Sequence, residues 1–277
     1  MQPVSEALIG EVHDLAVTIG TRAAEIARSR RAGGIEVAYS KSAIADIVTD
    51  ADRETEQFVR HALAEARPDD GFLGEEFDAV PSASGLTWVV DPIDGTVNYL
   101  YGLDPCAVSI AVVEGDPTGT QWRAIAGVVV NIFSGRVYSA AVGRGAWADG
   151  DRLAVATTTS LPVTLVATGF QYAPEVRVRQ ARVLANLLGT VRDIRRFGAA
   201  AIDLCLLAEG KVDLFYEIGL KPWDFMAGAL IAQEAGAIVR GRGGSTRPSG
   251  ELLIAANSTL IDQLQPMIEG WVRAEDL

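Results

Sequence analysis

Two aspartates three residues apart follow an apolar run in the segment WVVDPIDGT at 88–96. The proline between Asp91 and Asp94 fixes its own φ and biases Asp91 toward an extended conformation, so a rigid turn can aim both carboxylates at one point. Two carboxylates suit a hard divalent cation, and Gly95 and Thr96 would open a short helix whose free N–H groups attract an anion such as phosphate. The alternative is a common Pro-Asp-Gly turn with a capping aspartate.

Further carboxylates stand at two other places where an apolar element begins or ends. Glu75 and Glu76 end the run GFLGEE at 71–76, and on a strand their side chains point to opposite faces, so at most one points inward. An ion would stabilise that inward carboxylate, whereas the plainer interpretation is a solvated strand end. Asp224 opens a helix after a Pro-Trp pair and could serve only as its N-cap. Together with the two aspartates above, these residues fall at strand ends and helix starts, where the ligand sites of α/β proteins collect.

Two helices are the first elements that position these groups. Residues Ser5 to Arg30 carry apolar side chains at spacings of three and four, which predicts an amphipathic helix. A second helix is predicted over Glu54 to Ala66, after Thr49, Asp50 and Asp52, and it stops before Pro68. We expect the two helices to form one layer. The apolar positions of the first helix are Leu8, Val12, Leu15, Ile19, Ala23 and Ile26.

The pattern changes twice along the rest of the chain. From Gly71 to Gly143, short apolar or alternating runs separated by Gly, Asp and Pro predict a mostly antiparallel sheet. After Leu161, strands and helices alternate, which is the order of an α/β fold. The strands predicted there lie at 163–169, 191–197 and 212–217, and the helices at 175–188, 199–208, 225–235 and 259–272, with two short strands before the last helix. The Gly- and Arg-rich segment at 240–250 predicts a mobile surface loop.

A composition shift at 153–161 predicts two parts of the chain. The part at 1–155 carries the GEE and DPIDGT motifs, and the part at 156–277 carries the WD motif. We expect one compact unit with the functional site between the two parts.

Composition excludes several classes of protein. The 277 residues include 24 basic and 36 acidic side chains, for a formal net charge of −12, which argues against a generic nucleic-acid binder. The hydrophobic fraction of 49% and the charged fraction of 22% predict a packed core rather than disorder. Cys106 and Cys205 lie in apolar runs, which favours reduced core thiols. Because the N-terminus has no secretory pattern and no run is long enough to span a bilayer, we expect a cytoplasmic protein without a membrane segment.

The motifs G-E-E, D-P-I-D-G-T and W-D, in this order and at these separations, resemble those of the inositol monophosphatase family of Mg²⁺-dependent phosphatases. The resemblance also includes Lys41-Ser42, the segment DIVTDAD at 46–52 and the segment at 195–224, and it looks closest to the bacterial inositol-1-monophosphatases of that family. It implies a layered α-β-α-β-α sandwich, usually a homodimer, that hydrolyses phosphate monoesters of inositol or related polyols. It further implies two or three Mg²⁺ ions and inhibition by lithium.

The resemblance implies a role for each matching residue. Glu75, Asp91 and the backbone carbonyl of Ile93 match the ligands of a first metal ion, and Asp91, Asp94 and Asp224 match those of a second. Thr96, together with Glu75, matches the hydroxyl that positions the attacking water, and Asp52 matches the hydrogen-bond partner of that hydroxyl. The residues that match substrate-binding positions are Asp94, Gly95, Thr96, Gly198, Ala200, Glu217 and Asp224.

Within that set, Gly95 and Thr96 would offer N–H groups to the phosphate, while Gly198, Ala200 and Glu217 would line the polyol pocket. The chain departs from the pattern at Ala199, where relatives often carry Ser or Thr, so a hydroxyl contact to the substrate is missing. Glu76 belongs to the signature but receives no ligand role.

Elementary chemistry agrees with the implied activity. A phosphate monoester dianion repels an anionic nucleophile, so an acidic chain must invert the local field with cations. Paired Mg²⁺ ions would neutralise the phosphoryl oxygens, lower the pKa of a bound water and stabilise the leaving alkoxide, without a covalent nucleophile.

The sequence motifs of other phosphate-processing enzymes are absent from the chain or match it poorly. There is no G-x-x-x-x-G-K-[ST] loop, and Cys205 is not followed at the required distance by Arg. His13 and His61 both fall on predicted helix faces, which argues against a histidine or zinc site. The string Asp50-Ala-Asp52 suggests an aspartyl-phosphate phosphatase, but Glu54 stands where such enzymes use Thr or Val.

Other substrates and another class of function stay open. Within the family, histidinol phosphate, fructose-1,6-bisphosphate and 3′-phosphoadenosine-5′-phosphate compete as substrates. A nucleotide bisphosphate would need extra basic residues, for which the region 160–220 supplies mainly Arg195 and Arg196. A regulatory protein that keeps the fold but binds partners such as transcription machinery is the alternative class.

Overall fold

The computed structural model describes residues 4–33, 37–40 and 47–277, so Lys41, Ser42 and Asp46 of the motif resemblance lie outside the described residues. In this part of the chain the α-helices are α1 Glu6–Ala32, α2 Asp50–Ala66, α3 Thr96–Tyr101, α4 Pro174–Leu188, α5 Ala200–Ala208, α6 Pro222–Glu234 and α7 Ser258–Ala274. The strands are β1 Val37–Ser40, β2 Ile47–Thr49, β3 Gly71–Gly74, β4 Leu86–Asp94, β5 Ala107–Gly115, β6 Trp122–Asn131, β7 Val137–Ala141, β8 Ala146–Ala148, β9 Asp151–Arg152, β10 Leu165–Thr168, β11 Asp193–Arg195, β12 Leu214–Glu217, β13 Ile238–Arg240 and β14 Leu253–Ala256.

The larger sheet follows chain order from β3 to β9. Strand β3 runs parallel to β4 and each later neighbouring pair is antiparallel, which confirms the mostly antiparallel sheet predicted for 71–143. The central strands are continuous apolar runs because both faces of the sheet are covered. Trp88 and Val90 pack on the side of α1 and α2, whereas Val89 packs on the side of α5 and α6.

The smaller sheet has the order β11-β10-β12-β14-β13. Strand β10 is parallel to both of its neighbours, and β14 is antiparallel to both of its own. Helices α5 and α6 lie between the two sheets, while α4 and α7 cover the outer face of the smaller sheet. The fold is therefore the α-β-α-β-α sandwich that the resemblance implies.

The middle layer approaches the larger sheet closely at one glycine. A Cβ on Gly127 in β6 would lie 2.9 Å from the carbonyl oxygen of Ala227 in α6, so a larger residue would push the helix off the sheet. The central core contains side chains from both sides of residue 155, among them Val89 and Leu253. The division of the chain at residue 155 stays a prediction.

Several predicted boundaries are wrong by a few residues. Helix α2 begins at Asp50 rather than Glu54, because Thr49 is its N-cap and Asp52 completes a capping box with it. Helix α6 begins at Pro222, which places Asp224 inside the first turn rather than at the N-cap. Helices α1 and α7 extend beyond their predicted ends, and strands β10 to β12 are shorter than predicted.

The remaining structural expectations concern cysteines, histidines and the Arg-rich loop. Cys106 and Cys205 are buried and free, which confirms the interpretation as core thiols. His13 and His61 lie on α1 and α2, as predicted. The 240–250 segment contains a single 3₁₀ turn, and the Arg247 guanidinium donates to the Thr120 and Trp122 carbonyls, while the mobility of the segment stays a prediction. Among the described helices, none has both the length and the apolar composition needed to cross a bilayer.

Candidate active site

The two aspartates of DPIDGT lie at the end of β4, buried beside β5. Asp91 pairs with Ser109 and Asp94 with Ala107, so the strand bulges between the two aspartates where Pro92 cannot donate a ladder hydrogen bond. The exposed fraction is 2% for Asp91 and 9% for Asp94. The Asp91 carboxylate accepts the backbone N–H of Ile93 at 3.0 Å, which holds the turn.

Asp94 also connects to the second half of the chain. Its carboxylate accepts the N–H of Ala201 at 2.7 Å, in the first turn of α5, across 107 residues. This bond satisfies one of the free N–H groups at the start of that helix. One Asp94 carboxylate oxygen thereby forms a hydrogen bond within the protein. No feature of the sequence near Asp94 predicted this bond.

Gly95 and Thr96 open helix α3, as predicted. Gly95 has φ 87° and is its N-cap. In that conformation its backbone passes close to Ala199 and to the Gly198 carbonyl, where a Cβ would stand only 3.1 Å from both. Asn98 strengthens the same junction by donating its amide to the Pro105 and Phe197 carbonyls, each at 2.7 Å.

The Thr96 hydroxyl has two acceptors within reach. It lies 3.3 Å from Oδ1 of Asp52 and 3.1 Å from the Ile93 carbonyl oxygen, and its single proton can serve only one of them at a time. The other Asp52 oxygen accepts the backbone N–H and the hydroxyl of Thr49. The first turn of α2 thus supplies the carboxylate that the resemblance pairs with Thr96.

Glu75 follows the end of β3, and Asp224 lies in the first turn of α6. The parallel pairing of β3 with β4 places Gly74 opposite Val90, so Glu75 emerges beside Asp91 at the same edge of the sheet. Asp224 accepts the N–H of Lys221 at 2.6 Å. All four predicted acidic residues, Glu75, Asp91, Asp94 and Asp224, therefore face one cavity.

That cavity has a volume of about 450 Å³ and lies between the larger sheet and the segments around α5 and α6. Its wall includes the predicted residues Glu75, Asp91, Ile93, Asp94, Gly95, Thr96, Gly198, Ala199, Ala200, Glu217 and Asp224. Asp52 does not line the cavity and reaches it through Thr96. Glu76 does not line it either.

Other lining residues were not singled out from the sequence. Gln171, Tyr172 and Lys221 are among them, and Arg196, which the sequence suggested only as a cation for a bisphosphate substrate, lines the cavity as well. Of the two basic residues considered for an anionic substrate, Arg195 instead pairs with Asp193 at 2.6 Å. The adjacent arginines diverge because neighbouring side chains of an extended segment point to opposite faces.

Glu217 lines the same cavity and lies near enough to Asp94 for its charge to raise the pKa of that aspartate. It ends strand β12, next to the segment that begins at Gly169. A Cβ on Gly169 would overlap the Glu217 carboxylate, so glycine is the residue that leaves this acid its space. Burial raises the pKa of Glu217 to about 8, and the charge of Asp224 raises it as well.

The acidic side chains of the cavity oppose one another's ionisation. Burial raises the pKa of Asp91 well above its ordinary value, and Glu75, Asp94 and Asp224 raise it further. Burial likewise raises the pKa of Asp94 to about 8 and that of Asp52 to about 7, and it raises the pKa of Asp224 well above its usual range. These carboxylates raise one another's pKa, and a bound cation would lower their pKa again because its positive charge favours the ionised forms.

These residues fit a divalent cation by the chemistry of their donors. Within the described residues, Asp91, Asp94 and Asp224 form no salt bridge with Lys or Arg, although the nearby charge of Lys221 lowers the pKa of Asp224. In the described part of the chain, no three His, Cys, Asp or Glu side chains stand close enough together to hold an ion by themselves. Mg²⁺ keeps several waters and needs few carboxylates, so an open set of oxygens at one cavity suits it better than a complete cage would.

Comparison with known proteins places the chain in a family. The sequence profile of the inositol monophosphatase family matches residues 9–272. The inositol-1-monophosphatase of Mycobacterium bovis is 40% identical over 274 residues, which is 95% of this chain and 91% of that protein. The Nus factor SuhB of Pasteurella multocida is 35% identical over 80% of this chain and 84% of its own length.

The fold agrees with the sequence comparison. The extragenic suppressor protein suhB from Bartonella henselae superposes with a TM-score of 0.85 at 32% identity, covering 94% of this chain and 98% of that one. Because the profile match extends over nearly the entire chain and the relatives share both fold and length, this chain belongs to the inositol monophosphatase family.

Proposed function

We propose that the protein is a Mg²⁺-dependent phosphate monoester hydrolase that converts a myo-inositol monophosphate to inositol and phosphate. The observation that carries the proposal is the meeting of Glu75, Asp91, Asp94 and Asp224, from three separate elements, at one cavity that Thr96 also lines. Burial and the charges of Glu75, Asp94 and Asp224 raise the pKa of Asp91, and the Thr96 hydroxyl lies within hydrogen-bond distance of a further carboxylate, that of Asp52.

In this proposal Glu75, Asp91 and the Ile93 carbonyl would hold one ion, and Asp91, Asp94 and Asp224 would hold a second. When bound, such ions supply positive charge to the phosphoryl oxygens, acidify a water and stabilise the leaving alkoxide. Asp94 would contribute a carboxylate oxygen to the second ion while it also accepts the Ala201 N–H of α5.

The chain's own groups then orient the reacting atoms. When the Thr96 hydroxyl donates its hydrogen bond to Asp52, the Thr96 oxygen would be free to accept a hydrogen bond from the attacking water. Glu75 would accept the second hydrogen of that water, so the oxygen is aimed at phosphorus. The N–H groups of Gly95 and Thr96 would bind the phosphate, and Gly198, Ala200 and Glu217 would contact the polyol.

A panel of substrates tests the proposal. We expect Mg²⁺-dependent phosphate release from inositol-1-phosphate to exceed that from histidinol phosphate, fructose-1,6-bisphosphate and 3′-phosphoadenosine-5′-phosphate, because Glu217 suits hydroxyl groups. Preference for either bisphosphate would transfer the assignment to that substrate and point to Arg196 and Lys221 as the cations that recognise the second anion. Absence of release from all four would reject the hydrolase.

Lithium provides a second test of the metal chemistry. We expect LiCl at millimolar concentration to slow the reaction at fixed Mg²⁺, since Li⁺ would occupy a metal position with one positive charge instead of two. A matched concentration of KCl is the control. Equal rates in the two salts would contradict the proposed arrangement of metal ligands.

A second candidate is a regulatory protein that binds partners such as transcription machinery. The name Nus factor, carried by the Pasteurella multocida relative, is the observation that favours it. A pull-down with wild-type and Asp94→Asn protein separates the two functions, because partner capture should survive the substitution and phosphate release should not.

We also propose, from the family resemblance, that the active form is a homodimer, which light scattering would measure.

A further inference from the structure

Glu56 is a buried acid that the proposed chemistry does not use. It lies on α2 one turn after Asp52, and its side chain is 0% exposed. A carboxylate in the interior is costly unless hydrogen bonds and a counter-charge compensate it. The partners of Glu56 therefore indicate what it does.

The Glu56 carboxylate binds the backbone directly after Glu75. One oxygen accepts the N–H of Glu76 at 2.7 Å, and the other accepts the N–H of Phe77 at 3.2 Å. Hydrogen bonds to an ionised acceptor are stronger than neutral ones, so these two bonds restrict the backbone more than an ordinary turn does. The segment they hold is the first after the end of β3.

The same carboxylate fills the space next to the residue before Glu75. A Cβ on Gly74 would overlap both oxygens of Glu56, so the strand end can pack on the acid only because position 74 is glycine. Both chain neighbours of Glu75 are thus held against one side chain. Glu75 itself is left to line the cavity.

Arg60 completes the arrangement. Its Nε donates to Glu56 at 3.3 Å, and its guanidinium lies 4.4 Å from the ring centre of Phe72 and also donates to the Asp78 carbonyl. Phe72 and Val80 exchange backbone hydrogen bonds at the base of the same loop. The loop at 75–79 is therefore fixed at its base, at its middle by Glu56 and at the Asp78 carbonyl by Arg60.

The position of Glu56 on α2 couples this loop to the rest of the site. Residues four apart on a helix share one face, so Asp52 and Glu56 project from α2 in the same direction. Asp52 reaches Thr96 after β4, while Glu56 reaches the loop after β3. One face of α2 thereby positions two segments that supply site residues, the loop after β3 and the segment after β4.

We propose that Glu56 is a positioning residue of the metal site, which holds the backbone on both sides of Glu75 so that the Glu75 carboxylate is placed for a cation before the ion arrives. This inference rests on the metal site proposed above. Residues that orient a metal ligand typically change metal affinity by about tenfold to a hundredfold when they are replaced.

Metal binding without substrate tests the inference. Mn²⁺ binding to wild type, Glu56→Gln and Glu56→Asp is measured by calorimetry, well below each variant's own melting temperature. Glu56→Gln keeps one acceptor oxygen but turns an NH₂ group toward a backbone N–H, so we expect an affinity at least about tenfold weaker. Glu56→Asp keeps the charge and should fall between the other two. In turnover, the Mg²⁺ concentration for half-maximal rate should rise more than kcat falls.

Glu65→Gln is the matched control, since it is the same chemical change at an exposed position of the same helix and should bind Mn²⁺ like wild type. A folded Glu56→Gln that binds Mn²⁺ within twofold of wild type overturns the inference, even if its melting temperature in EDTA is lower, because its role would then be only structural. If Glu56→Gln does not fold, Glu56→Asp decides by the same criterion. Wild type without saturable Mn²⁺ binding would instead overturn the proposed metal site.

Discussion

Asp94 shows how one carboxylate serves both fold and site. One oxygen accepts the Ala201 N–H in the first turn of α5, and burial raises the pKa of the group to about 8. An asparagine can keep the hydrogen bond to α5 with its amide oxygen, but it cannot supply negative charge to a cation. The residue therefore allows the charge to be removed while the fold is retained.

We expect Asp94→Asn to lower kcat for inositol-1-phosphate by roughly a thousandfold or more, because several kcal/mol of transition-state stabilisation are lost with a metal ion. Steady-state phosphate release with saturating Mg²⁺ is the measurement. Asp262→Asn, an exposed aspartate on α7, is the control and should be unaffected. Activity within tenfold of wild type would reject the metal assignment of Asp94.

Asp203, unlike Asp94, is a buried acid for which the described part of the structure shows no hydrogen-bond partner and no place at the cavity. It is buried in α5, and neither carboxylate oxygen has a hydrogen-bond partner among the described residues. Burial raises its pKa well above the ordinary value, and the charges of Glu217 and Asp94 raise it further. A raised pKa in the folded state means that the ionised form disfavours folding at pH values above the unfolded pKa of about 3.9.

We therefore expect Asp203→Asn to melt a few degrees higher than wild type at pH 8, since asparagine cannot ionise. The difference should shrink as the pH falls toward 4, because the ionised fraction of the unfolded aspartate, and with it the penalty on folding, declines there. Thermal denaturation at pH 4.5 and pH 8 measures it. A variant that is less stable than wild type at pH 8 would show that Asp203 is ionised and compensated.

At the scale of elements, the N-terminus of α2 joins a local motif to the site. Thr49 and Asp52 form a reciprocal capping box, in which the Asp52 carboxylate accepts the Thr49 N–H at 2.9 Å. The pattern Thr-x-x-Asp is readable in the sequence and would have placed the helix start at Asp50. The same carboxylate binds Thr96, so the cap and the site use one side chain.

We expect Thr49→Ala to lower the free energy of unfolding by about 1 kcal/mol, the usual cost of a lost N-cap, and Thr49→Ser to stay close to wild type because it keeps the hydroxyl. Urea denaturation monitored by circular dichroism provides the comparison. Equal stability of the alanine and serine variants would mean that the cap contributes nothing.

The whole molecule carries a formal net charge of −12, and several of its acidic side chains lie at one cavity. Without a cation, Asp91 is disfavoured as an anion by burial and by Glu75, Asp94 and Asp224. A ligand that binds only the folded state stabilises it in proportion to the logarithm of its concentration over Kd. Cation binding and overall stability should therefore be linked in this protein.

We expect Mg²⁺ at about a hundredfold excess over Kd to add roughly 2.7 kcal/mol and to raise the melting temperature by a few degrees. Asp91→Asn should remove most of that rise, because Asp91 is the side chain assigned to both ions. Melting curves with MgCl₂ are compared with KCl at equal ionic strength. If Asp91→Asn still responds to Mg²⁺ as wild type does, Asp91 does not bridge the ions.

The sequence by itself determined the chemistry-bearing residue types and the kinds of elements around them. Apolar periodicity, Pro92 and Gly95 act within a few residues, so the run into DPIDGT, the short helix after it and the α/β order of the second half were predictable. The motifs also identified the family, because their order and spacing along the chain are themselves sequence properties. Exact helix starts were missed at α2 and α6, where capping contacts decide the boundary.

Only the tertiary structure shows which groups that are far apart in the sequence bind each other. Glu56 binds the N–H of Glu76 twenty residues on, and Asp94 binds that of Ala201 in another layer. It also decided that Arg196 faces the cavity while Arg195 pairs with Asp193. The physical reason is that burial and long-range hydrogen bonds depend on how layers pack, and packing is set by the whole core rather than by neighbouring residues.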